Sequence, residues 1–154
     1  MGFLQRLFLS DRASRRVAHP VLGDLLLMRT KSGAYWEGET GLGGRPLTLA
    51  IEAPGEAEPV PAQVAFFERY VHYPEAAFHK AEDLLVGEYE DWVRRPFPAD
   101  WREAFAWVAL SIPADGDELK PWDLSFECLQ DGTARRHFTC FIERGHVVRV
   151  EVSG

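Results

Sequence analysis

The chain has 154 residues, 46% of them apolar and 12% aromatic, which suits one domain with a substantial core and excludes global disorder. Its net charge of −7 is unevenly spread: +4 over residues 1–31, −8 over 32–100 and −3 over the remainder. An acidic body repels phosphate backbones and anionic lipid, so nucleic acid is not an expected partner and a basic protein is the electrostatic complement. No stretch approaches the ~20 apolar residues of a membrane span. The opening Met1-Gly2-Phe3-Leu4-Gln5-Arg6 fits neither a myristoylation signal nor a cleaved leader, so the expected location is cytoplasmic.

Residues 1–18 form a basic N-terminal segment. It is read as disordered or as a short helix with Phe3, Leu4, Leu7 and Phe8 on one side. Residues 19–154 are expected to form a single α+β domain. Within it, 22–30, 34–40 and 47–53 read as strands. Alternation is clearest where Leu47, Leu49 and Ile51 oppose Thr48, Ala50 and Glu52. Lys31-Ser32-Gly33 and the run Gly41 to Gly44 supply the turns, and connections this short imply an antiparallel meander.

Beyond a Pro- and Gly-containing loop the period becomes helical. Val60, Val64, Phe67 and Val71 share one face; after Pro74, Phe78, Ala81, Leu85, Tyr89 and Trp92 share another, broadened by Leu84. The two segments predict an antiparallel helical pair lying over the sheet. A short helical turn is expected at 100–103, then a strand at 105–112, although Trp101, Phe105, Val108 and Ile112 also fit a helix.

Three further strands follow, each with its apolar residues at even positions: 122–128, 138–143 and 148–152. Facing residues must share a side, so even must pair with even. That parity excludes a plain two-residue turn at Arg144-Gly145 and is satisfied by a three-residue connection with Gly145 at positive φ. The same parity sends Cys128 and Cys140 to the core as free thiols. The expected fold class is thus α+β: an antiparallel sheet, built from an N-terminal three-strand meander plus C-terminal strands, packed against the helical pair.

Three stretches carry a resemblance: Ala34-Tyr35-Trp36-Glu37-Gly38, the strand 46–52, and the helix end 84–92 with its Tyr89. In their order the chain resembles, over residues 19–152, a bacterial domain family of unknown function whose members open on a W-x-G strand. Some relatives of that kind sit among proteins assigned as immunity partners of bacterial toxins. The resemblance implies a fold and a protein-binding role, and it carries no catalytic residues with it.

Candidate chemistry is sparse. The glycines at 38, 41, 43 and 44 join two strands and lack the Lys of a phosphate-binding loop. His79 and Asp83 lie one helical turn apart, with Glu82 beside them, but lack a third ligand brought by the sequence. No nucleophile motif accompanies the five histidines. No catalytic residue, cofactor or metal is therefore expected. The densest charged feature is the acidic side of the second helix. Glu82, Asp83, Glu88, Glu90 and Asp91, with Tyr89 supplying aromatic specificity, are read as a face for a basic partner. The competing expectation is a small-ligand-binding protein or hydrolase-like enzyme whose pocket is lined by Tyr35, Trp36, Trp92, Trp101, Trp107 or Trp122.

Overall fold

The computed structural model describes residues 13–130 and 135–154, so the expectation of a helix at Phe3 to Phe8 lies outside the described residues. The chain is α+β; its described residues form two α-helices and one eight-stranded sheet in which the strands lie side by side in chain order. The strands are β1 (Ala13–His19), β2 (Gly23–Thr30), β3 (Gly33–Leu42), β4 (Arg45–Glu52), β5 (Phe105–Ile112), β6 (Trp122–Cys128), β7 (His137–Glu143) and β8 (His146–Ser153).

Two features correct the sequence reading of the sheet. The N-terminal meander has four strands, because β1 adds to the edge of β2 through pairs such as Val17↔Leu25. An edge strand needs little apolar content, and of the described side chains of β1 only Val17 packs on the core, which is why alternation does not betray it. The sheet is also not wholly antiparallel. β4 and β5 run parallel, with Leu49↔Leu110 and Ile51↔Ile112 in register. The long helical connection between them makes a parallel pairing possible. β5 is buried along nearly its whole length, so its apolar run carries little alternation, the source of its helix-or-strand ambiguity.

The parity argument for the last strands holds within the strands and fails at the turn. Even residues pair with even across β6 and β7, and between β7 and β8 as far as the Phe141↔Arg149 pair, as in Leu124↔Cys140 and Cys140↔Val150. The turn between β7 and β8 is nevertheless the two-residue one, Arg144 and Gly145, at φ of 52° and 80°. The extra residue sits inside β8 instead: Phe141 faces Arg149 and Ile142 faces Val147, leaving Val148 bulged and exposed. Cys128 and Cys140 form no disulfide with each other and are buried on the core side.

Helix α1 (Pro61–Val71) and helix α2 (Pro74–Val93) each begin on a proline, whose missing N–H costs nothing in a first turn. Both pack on the sheet face made by Leu27, Trp36, Leu49, Leu110, Leu124 and Phe138. The inward face of α1 is turned from the expected one. Gln63, Phe66, Phe67, Tyr70 and Val71 are buried, whereas Val60 is exposed. Gln63 explains the turn. Its Nε2 donates to the carbonyls of Glu52 (2.8 Å) and Pro113 (3.2 Å), and its Oε1 accepts from Val60 N (3.1 Å). One amide thus fastens the start of α1 to the chain just past β5 and to the last residue of β4.

Candidate functional site

Helix α2 buries Ala77, Phe78, Ala81, Leu85 and Tyr89, the i, i+3/i+4 stripe expected of a helix laid on a sheet. The six residues singled out on this helix divide into three groups. Tyr89 is fully buried: its ring meets Phe97 and Phe105 edge-on, and its hydroxyl donates to Gln130 Oε1 at 3.1 Å. Burial pushes its phenol pKa up. Tyr89 therefore holds the helix from within and does not present its ring to a partner. Glu82 and Glu90 are engaged by the fold. Glu82 Oε1 lies 3.0 Å from His79 Nδ1, and Glu90 Oε2 accepts from the backbone N–H of Phe97 at 2.9 Å, tying down the chain past the helix end. Asp83, Glu88 and Asp91 make no hydrogen bond or ion pair among the described residues.

Beside these three carboxylates stand two side chains that the periodicity assigns to the core. Leu84 is 39% exposed and Trp92 is 47% exposed. At 100° per residue, positions 84, 88 and 92 climb a single i, i+4 ridge with Asp91 alongside. Trp92 leaves the core because α2 ends one residue later, at Val93, with Arg94 turned into the left-handed region (φ 61°). Its ring carries the Arg136 guanidinium 4.6 Å from the centroid. The ridge is thus an exposed leucine and tryptophan separated by Glu88 and flanked by Asp83 and Asp91. Leu84 and Trp92 as surface residues are not legible from period alone, since both extend the buried stripe.

The aromatics of the competing expectation scatter. Tyr35, Trp36 and Trp122 are core residues, Trp36 donating its indole N–H to the Ala57 carbonyl at 2.8 Å. Trp101 and Trp107 come together at a cleft of about 400 Å³, between the β3–β4 turn and the start of β5. Its wall also includes Leu42, Leu129, Arg45 and Arg102. Arg102 lies over the Trp101 ring, 4.7 Å from its centroid, and pairs with Glu75. Glu75 also accepts from the Trp101 indole N–H at 2.9 Å, and that bond, with Arg102, holds its carboxyl below the usual range.

The remaining titratable cluster links α1 to the loop before β6. Glu118 accepts from the Tyr70 hydroxyl and pairs with Arg69 at 2.7 Å. Burial works against its ionisation, but the Tyr70 and Arg69 contacts outweigh burial and hold its pKa down. Tyr70 is driven up, first by burial and then by that carboxylate. Among the described residues no group of three or more His, Cys, Asp or Glu side chains is arranged to hold a metal ion, and no helix is long and apolar enough to cross a membrane. No family model, curated protein or solved structure matches the chain.

Proposed function

We propose that this chain is a non-catalytic protein-binding domain that offers the outer side of α2 to a basic protein, in the manner of an immunity protein that captures a toxin. The supporting observation is the ridge itself: exposed Leu84 and Trp92 set among Asp83, Glu88 and Asp91, none of which is engaged elsewhere among the described residues. Interfaces draw most of their affinity from a few large side chains that are dehydrated on contact, tryptophan prominent among them. Surrounding charges mainly steer the encounter and set its salt dependence. A −8 segment that places its free carboxylates around a tryptophan combines both.

The test is affinity capture from the native host at low salt, with identification of the retained proteins. The wild-type chain retains a basic protein that is released as salt rises, because exposed charge pairs are screened over about 8 Å at physiological ionic strength. The triple variant Asp83→Lys, Glu88→Lys, Asp91→Lys retains none and melts at the wild-type temperature. Glu90 is left intact because it holds the Phe97 backbone. Equal capture by the triple variant rules this face out.

A further inference from the structure

The cleft beside Trp101 and Trp107 has a charge opposite to that of the chain. Its lining contains two guanidiniums, Arg45 and Arg102, and no carboxylate, in a protein of net charge −7. A second cleft, of about 410 Å³, has carboxylates in its wall, Glu52 and Glu56. There Arg29 is met by Glu56 through two hydrogen bonds, at 2.8 and 2.6 Å, so its charge is answered within the fold. In the aromatic cleft Arg102 is likewise answered, by Glu75 and at 3.9 Å by Asp100, and lies over the Trp101 ring, so Arg45 carries the unanswered charge. Arg45 makes no hydrogen bond or ion pair among the described residues, which leaves its planar fork of donors free for an acid group. The rest of the wall is apolar: the two indoles, Leu42 and Leu129. Both indole N–H groups are already spent, on Glu75 and on the Ala109 carbonyl (2.9 Å). Phe78 stacks on one face of Trp101 and Arg102 lies over its ring, so what the indoles offer a ligand is their exposed rims.

We infer that this cleft is a binding site for a small organic anion with an aromatic body, its acid group on Arg45 and its ring against Leu42, Leu129 and the rims of Trp101 and Trp107. The volume lies within the usual range for small-molecule sites, roughly 300–1,000 Å³. An apolar wall with a few convergent polar groups is the common construction of such sites. The site is separate from the α2 ridge, and its occupancy does not depend on the protein-binding role.

Naphthalene-1-sulfonate is the probe, with the uncharged 1-naphthalenemethanol as its comparison. Each is titrated into the full chain by calorimetry and followed through the indole N–H signals of Trp101 and Trp107 in NMR spectra. The sulfonate binds and moves both indole signals, and the alcohol binds about tenfold more weakly or worse, because it lacks the charge-assisted bond. Arg45→Gln reduces sulfonate affinity to that of the alcohol and leaves the alcohol unchanged. Because the Arg45 side chain makes no hydrogen bond or ion pair among the described residues, this variant melts as the wild type does; should it not, the sulfonate-to-alcohol ratio on the wild-type chain decides alone. Equal affinities for the two probes, unmoved Trp101 and Trp107 signals, or no sulfonate binding at millimolar concentration would each overturn the assignment.

Discussion

Substitution of Gln63 tests how α1 is fastened to the sheet. The side chain is 2% exposed and makes three hydrogen bonds, two as donor to the Glu52 and Pro113 carbonyls and one as acceptor from Val60 N. A net contribution of roughly 0.5–1.5 kcal/mol per bond puts Gln63→Ala at about 2–4 kcal/mol. At roughly 2–4 °C per kcal/mol for a chain of this length, the melting temperature falls by about 4–16 °C. Gln63→Glu is the sharper probe, because its volume is unchanged while the donor that faces two carbonyl oxygens becomes a carboxylate oxygen. Burial and those carbonyls raise the folded-state pKa of the new carboxyl above its unfolded value near 4.3. Its stability is then greatest below that unfolded value and is lost as pH rises through the folded one. Denaturant titrations at pH 7 and pH 4 measure this directly. Gln63→Glu should be at least as destabilised as Gln63→Ala at pH 7, and should regain part of the deficit at pH 4, where the protonated acid can donate one bond. Wild-type stability of Gln63→Glu at pH 7 would refute the clamp.

Two glycines give opposite expectations. At Gly116 (φ +62°) an added Cβ would lie 2.2 Å from the Ala62 carbonyl oxygen in α1, so Gly116→Ala should cost several kcal/mol, at least the roughly 1–3 of a strained backbone. At Gly87, inside α2 with nothing within 4 Å of a new Cβ, Gly87→Ala should raise stability by about 0.4–1 kcal/mol, and chemical denaturation of both variants distinguishes the two cases. The depressed pKa of Glu118 predicts stability that is present above the unfolded carboxyl value near 4.3 and is lost as pH falls through the folded value. The gap in melting temperature between wild type and Glu118→Gln should therefore be widest near neutrality and close below about pH 4; a gap independent of pH contradicts that linkage.

Period and turn chemistry make most of this fold legible. Alternation marks β4, β6 and β7 because each presents one face to the helices, and the 3.6-residue stripe of α2 marks its buried side. What escapes has a common cause: contacts between segments far apart in sequence. Gln63 turns α1 because carbonyls at 52 and 113 converge on it. Parity shows that an extra residue lies near the last hairpin, but packing decides that it is Val148 in the strand and not a residue of the turn. The candidate sites follow the same division. The carboxylates of α2 are visible as a charged run, whereas the exposure of Trp92 depends on where the helix stops. Trp101, Trp107 and Arg45 share a cleft only because the β3–β4 turn reaches the start of β5.

The α2 ridge needs Trp92 as its anchor, and the affinity of Trp92→Ala for the captured basic protein tests that most directly. Truncating a central interface tryptophan costs about 2 kcal/mol or more, so the dissociation constant should rise roughly 30-fold or further. The side chain is about half exposed, so the melting temperature should fall little. A dissociation constant within about twofold of the wild-type value, in a variant that folds normally, would place the partner's contact elsewhere on the molecule.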